Sequence, residues 1–77
     1  MMNEIYEILA DIRPEFDFKE SSDFVEDGYL DSFDIVTLVS ELDTKYNISI
    51  DGLDIVAKNF CSIEAIMNII RKNGGEI

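Results

Sequence analysis

The stretch that decides the fold is Asp31-Ser32-Phe33-Asp34-Ile35-Val36-Thr37-Leu38-Val39-Ser40-Glu41-Leu42-Asp43-Thr44-Lys45-Tyr46. Ile35, Leu38, Val39, Leu42 and Tyr46 recur at spacings of three and four residues, the repeat that lines one face of an α-helix. The spacing predicts a helix over about residues 32 to 46 with that stripe turned to a core. Asp31 or Ser32 supplies a side-chain acceptor for the unpaired amides of the first turn, and Asp34 puts negative charge at the positive end of the helix dipole. At about 100° per residue, Phe33, Val36, Thr37, Ser40 and Thr44 fall opposite the stripe. A Phe and a Val on a face the core does not require point either to a docking surface or to a Phe33 folded over the preceding loop as a hydrophobic cap.

Toward the N-terminus, Ile5, Ile8, Leu9 and Ile12 repeat the same spacing and predict a first helix over about residues 3 to 12. Pro14 closes it, because a proline pushes the residue before it out of the α region and makes Arg13 the boundary. Residues 13 to 31 hold no period; they are acidic and serine-rich, punctuated by Phe16, Phe18, Phe24 and Leu30. Regular apolar anchors in so long a connection predict an ordered loop crossing one end of a bundle.

Toward the C-terminus, Asn47-Ile48-Ser49-Ile50 alternates and then meets Asp51-Gly52, the pattern of an extended connector ending in a turn. A short helical turn near residues 53 to 58 would place Leu53, Val56 and Ala57 inward, with Phe60 as a following anchor. Cys61 or Ser62 caps a last helix of about residues 62 to 72, striped by Ile63, Ile66, Met67 and Ile70 and ended by Asn73-Gly74-Gly75. These elements predict an all-α fold: a small antiparallel bundle of three longer helices plus one short helix, in a single domain over residues 1–77.

Composition limits what such a domain can do. With 77 residues, 47% of them apolar, the chain buries about 60–65% of its unfolded surface, enough for one core and not for a deep cleft with its own catalytic apparatus. The chain has no histidine and one cysteine, which removes Ser-His and Cys-His nucleophile pairs, zinc clusters, CxxC redox pairs and any intrachain disulfide. No Asp-x-Asp-x-Asp-Gly run offers an EF-hand loop. The expectation is a non-catalytic protein without a resident metal, in a reducing compartment. Cys61 reads as a small apolar filler or cap, the alternative being a thiol activated by a helix start.

Six basic against seventeen acidic residues give a formal charge of −11. That charge repels nucleic acid and anionic membranes and favours basic protein partners, or simply keeps a small protein in solution. No apolar run approaches the ~20 residues of a membrane span, and Met-Met-Asn-Glu lacks the basic start of a secretory signal. A cytoplasmic monomer is expected.

Against this background Asp27-Gly28-Tyr29-Leu30-Asp31-Ser32-Phe33-Asp34 resembles the attachment motif of the acyl carrier protein family, in which a Gly, a two-residue spacer, Asp-Ser and a bulky apolar residue lead into the second helix. The likeness extends over nearly the whole chain, through the first helix, the anchored loop, Tyr46, Ile48-Ser49-Ile50 and Asn59-Phe60-Cys61-Ser62-Ile63-Glu64-Ala65-Ile66. A bare Asp-Ser would be an ordinary cap.

The resemblance implies that a magnesium-using phosphopantetheinyl transferase attaches 4'-phosphopantetheine from coenzyme A to Ser32 as a covalent cofactor. It implies that Asp31 helps to position the serine and a metal ion during transfer, and that the arm's thiol then carries an acyl or aminoacyl thioester. Implied partners are an acyl- or aminoacyl-loading ligase or synthase and downstream acyl-using enzymes, facing Phe33, Val36, Ser40, Glu41 and Asp43. A helix start suits a phosphate, and Gly28 lets the loop turn into it.

Thr37 and Thr44 stand where fatty-acid carriers often have acids, and Leu30-Asp31-Ser32-Phe33-Asp34 departs from their common Ala-Asp-Ser-Leu-Asp. The chain is thus more similar to discrete carriers of specialised or cell-envelope pathways, including aminoacyl and D-alanyl carriers. A general fatty-acid carrier, and an unmodified acidic adaptor for a basic partner, are the alternatives.

Overall fold

The computed structural model describes residues 2–77; Met1 lies outside them. Three α-helices follow one another, α1 (Met2–Ile12), α2 (Ser32–Tyr46) and α3 (Ile63–Lys72), with short 3-10 turns at Phe18–Glu20, Gly52–Asp54 and Ala57–Asn59 and no strand among the described residues. The radius of gyration, 11.1 Å, matches the ~11.5 Å of a compact chain this long.

The helical stripes converge on one core. Ile5, Ile8 and Leu9 of α1, Ile35, Leu38, Val39 and Leu42 of α2, and Ile66, Ile69 and Ile70 of α3 are buried together with Phe18, Phe24, Leu30, Ile50 and Phe60. Each fully buried Leu or Ile side chain contributes about 1.5–3 kcal/mol of transfer free energy, which is why residues spaced at three and four decide where the helices sit. Tyr46, expected in the stripe, lies at its edge, half-buried, with its hydroxyl donating to Glu4 Oε2 at 3.2 Å. Burial, followed by this contact with Glu4, raises its pKa.

The expected loop is ordered. α1 ends as the Arg13 N–H bonds to the Leu9 carbonyl ahead of Pro14. Phe18 and Phe24 meet edge to face at 5.1 Å, and Phe16 stacks on Tyr29 at 4.4 Å between centroids. The Phe24 N–H donates to the Cys61 carbonyl at 2.7 Å, tying the loop to the entrance of α3.

The expected short helix over residues 53 to 58 is corrected: two separate 3-10 turns stand there, neither containing a buried residue. Leu53 and Val56 point outward, and Ala57 is exposed with them. The apolar residues here satisfy a helical spacing over too few positions to form a continuous buried face, and none of the residues in either turn is buried.

The ends of α2 and α3 use different stops. Asn47 adopts the left-handed conformation at φ 54° and returns its N–H to the Asp43 carbonyl. α3 closes through Asn73 and Gly74, with Gly74 N–H on the Arg71 carbonyl and Gly75 N–H on the Ile70 carbonyl, the paired bonds of a Schellman stop. Ser62, not Cys61, caps α3 by accepting from the Ala65 N–H at 3.1 Å; the Cys61 thiol donates to the Lys58 carbonyl at 3.3 Å.

Candidate functional site

Ser32 is the first residue of α2 and is exposed. The cap belongs to its neighbour. Asp31, extended at φ −106° and ψ −177°, accepts the Asp34 N–H through Oδ1 at 2.8 Å, while Asp34 Oδ2 accepts the Asp31 N–H at 3.2 Å. This reciprocal capping box uses Asp34 where Glu or Gln is usual, and it leaves capping to Asp31 rather than to the Ser32 hydroxyl.

The approach to this turn is fixed from behind. Gly28 takes φ +80° with its N–H on the Val25 carbonyl. No atom lies within 4 Å of a Cβ built there, so the requirement for glycine is conformational rather than steric crowding. The Tyr29 and Leu30 N–H groups then share the Phe24 carbonyl, and Leu30 is buried immediately before Asp31.

Arg13 joins the turn from the end of α1. Its Nε donates to Asp34 Oδ2 at 2.8 Å, Nη2 approaches Asp31 Oδ2 at 3.4 Å, and Nη1 approaches Glu15 Oε2 at 3.3 Å. Asp34, 7% exposed, is the buried charged residue among the described residues, and its Oδ2 is held by both Arg13 and the Asp31 amide. Hydrogen bonding from the Asp34 amide, reinforced by the Arg13 charge, holds the Asp31 carboxyl below its ordinary pKa. Hydrogen bonding to Asp34 and its charge raise that of Arg13. The sequence marks Arg13 only as a helix boundary, because a partner 21 residues away leaves no local signal.

The outer face of α2 carries Phe33, 79% exposed, and Val36, 60% exposed, with Ser40 and Glu41 also in solvent. Phe33 therefore does not fold over the loop. Asp43 is placed differently: half-buried, it accepts the Ile50 N–H through Oδ1 at 3.0 Å and so holds the connector. Thr37 is half-buried, and the hydroxyls of Thr37 and Thr44 turn back to the carbonyls of Phe33 and Ser40. Leu53, 88% exposed, and Val56 add apolar surface on the connector that the periodicity placed inside.

No helix among the described residues is long and apolar enough to cross a membrane. No family model matches the chain, and neither a curated protein nor a solved structure matches it. The fold and site define a small all-helical domain that presents Ser32 at a buttressed helix start beside an exposed apolar pair.

Proposed function

We propose that this chain is a carrier protein whose Ser32 takes a 4'-phosphopantetheine arm and which shuttles an acyl or aminoacyl group between enzymes of a specialised biosynthetic or cell-envelope pathway. The observation that carries this reading is the division of labour at the head of α2: Asp31 caps, and Ser32 stands exposed one residue further on. Such a division gives a modifying enzyme a hydroxyl whose loss to a phosphodiester leaves the helix cap in place.

The residues fit the group. In the transfer, Ser32 Oγ forms a bond to the phosphorus nearest pantetheine, the pyrophosphate bond of coenzyme A breaks, the nucleotide bisphosphate leaves, and the hydroxyl proton passes to a base of the transferase. The amides and positive dipole end of the first turn favour the phosphodiester. Arg13 offsets part of the acidic charge of Asp31 and Asp34 beside it. When bound, the arm supplies a terminal thiol that holds cargo as a thioester, and its tether keeps that cargo at high effective concentration near each enzyme. Phe33 and Val36 offer apolar contact to the transferase and to loading and acyl-using enzymes, with Ser40 and Glu41 beside them.

Incubation of the whole chain with coenzyme A, magnesium and a broad-specificity transferase, followed by intact-mass measurement, is expected to show one arm on the native protein and none on Ser32→Ala. The exposed apolar pair and the charge of −11 also suit an unmodified adaptor for a basic partner. A native chain that stays unmodified while a control carrier is modified would decide for the adaptor.

A further inference from the structure

We infer that Arg13 is a positioning residue for modification of Ser32, acting through Asp34 and the capping box rather than by touching the reacting atoms. The inference rests on the carrier reading of Ser32. Its own basis is the closed ring of contacts around the Ser32 turn: Arg13 Nε to Asp34 Oδ2 at 2.8 Å, Asp34 Oδ2 to the Asp31 N–H at 3.2 Å, and Asp31 Oδ1 to the Asp34 N–H at 2.8 Å. Arg13 Nη2 also lies 3.4 Å from the other Asp31 oxygen. Ser32 and Phe33 form the outward arc between the two aspartates.

Charge and burial explain why the ring needs a cation. Asp34 is buried, and an ionised carboxylate in that position requires a partner. Two donors converge on its Oδ2, one from the backbone at Asp31 and one from Arg13. Without Arg13, Asp34 would lose its charged partner and swing toward water. That movement weakens its hold on the Asp31 amide and opens the reciprocal half of the box. Arg13 in turn is fixed by its place at the end of α1, where its N–H bonds to the Leu9 carbonyl at 2.9 Å. The register of α1 against α2 thereby sets the shape of the turn that displays Ser32, and the planar fork of arginine suits two carboxylates as a lysine ammonium does not.

A transferase that engages the closed turn will meet it less often when the ring is broken. The apparent affinity for the carrier then falls by the fraction of chains in the competent shape, while the rate at saturation is kept. The test is steady-state transfer from coenzyme A to the full chain by a broad-specificity transferase, with the unfolding midpoint of each variant measured in parallel.

For Arg13→Ala the KM for the carrier is expected to rise about tenfold with kcat unchanged within about twofold. Arg13→Lys keeps a charge for Asp34 but loses the fork, and is expected to fold and to raise KM by less. In Arg13→Ala/Asp34→Ala no buried charge is left unpaired, the released Asp31 and Glu15 carboxylates being exposed, so the midpoint should recover toward native while KM stays high, because the Asp31 amide still lacks its acceptor.

Three results would overturn the inference: an unchanged KM in Arg13→Ala and Arg13→Lys, a KM that recovers together with the midpoint in the double variant, or a loss confined to kcat, which would put Arg13 in contact with the reacting group. A native chain that takes no arm while a control carrier does would remove the carrier reading itself, and this inference with it.

Discussion

Leu30-Asp31-Ser32-Phe33-Asp34-Ile35-Val36 and Ile50-Asp51-Gly52-Leu53-Asp54-Ile55-Val56 agree at four of seven positions, yet the first opens a helix of fifteen residues and the second a 3-10 turn. Both begin with a buried aliphatic residue and an aspartate cap, and both push a large apolar side chain into solvent. They diverge at the second aspartate. Asp34 reaches back to the Asp31 amide and is clasped by Arg13, whereas Asp54 is paired with Lys72 of α3 at 2.8 Å and gives its N–H to the Asp51 carbonyl. Asp31 caps the third residue of its helix; Asp51 caps Leu53, the second residue of its turn. The residues downstream matter as much, since Leu38, Val39 and Leu42 extend the first stripe into the core, whereas Leu53 and Val56 of the second segment are exposed and no buried apolar residue follows before Phe60. A seven-residue pattern thus specifies a cap and a turn, and downstream burial and a tertiary partner decide whether a rigid helix start results. The two segments stand 20 residues apart, but a solenoid needs about three or more stacked repeats and only this pair of short matches occurs, so it does not mark a repeat architecture.

The sharpest way to break the comparison is to move the serine. A Ser32→Ala/Gly52→Ser chain restores an Asp-Ser pair in the second segment, and intact-mass analysis after treatment with coenzyme A and transferase is expected to find no arm. An arm on that double variant would mean that local sequence suffices and that the α2 scaffold is dispensable.

A large thermodynamic difference should follow between the two segments. Leu30→Ala removes a side chain that is 2% exposed and is expected to lower stability by about 2–5 kcal/mol. Leu53→Ala trims one that is 88% exposed and should stay within about 0.5 kcal/mol. Urea titrations of both variants provide the measurement, and equal losses would show that the connector packs more tightly than its exposure indicates.

Acid should separate the caps. The Asp31 pKa is held below its ordinary value of 3.8 by the Asp34 amide and the Arg13 charge, so the ionised cap stabilises the fold above that value and the contribution is lost as pH falls through the lowered one. The stability advantage of the native chain over Asp31→Asn is therefore expected to be full at neutral pH and to shrink in acid. Melting curves that differ by the same amount at both ends of this range would show that the Asp31 charge contributes nothing to the box.

The smallest effect is expected at Lys72, whose exposed ammonium meets Asp54. The ammonium stands in solvent although the Asp54 carboxylate is largely covered, and a pair open on one side is screened by salt, so Lys72→Ala should shift the midpoint modestly at low salt and less at high salt. A large loss that persists in high salt would give the connector a rigidity comparable to the head of α2.

Much of the fold can be read from periodicity. The stripe from Ile35 to Leu42, with Ile5, Ile8 and Leu9 of α1 and Ile66 and Ile70 of α3, is buried as its spacing requires, because a helix with one apolar face has one way to hide it. Ile12, Ile63 and Met67 lie half-buried at the edge, and Ile69 joins the core instead. Pro14 and Asn73-Gly74-Gly75 stop helices for local backbone reasons. The connector departs from its expected helix because Leu53, Val56 and Ala57 satisfy a helical spacing over too few residues to form a face, so the spacing carries no weight there. Phe33 has two readings in the sequence, and its exposure removes the one that folds it over the loop, since burial depends on what lies across from a residue.

By itself the sequence determined the three helices and the faces they turn to the core, consequences of apolar spacing and backbone preference within a few residues, while Ser32 is singled out by the resemblance of its surrounding motif and not by spacing. Tertiary structure alone decided that Asp34 is buried and that Arg13 crosses from the end of α1 to hold it. The physical reason is range. Helix formation and turn geometry are set by neighbours along the chain, whereas the partner of a buried charge is chosen by packing that brings residues 21 positions apart into contact.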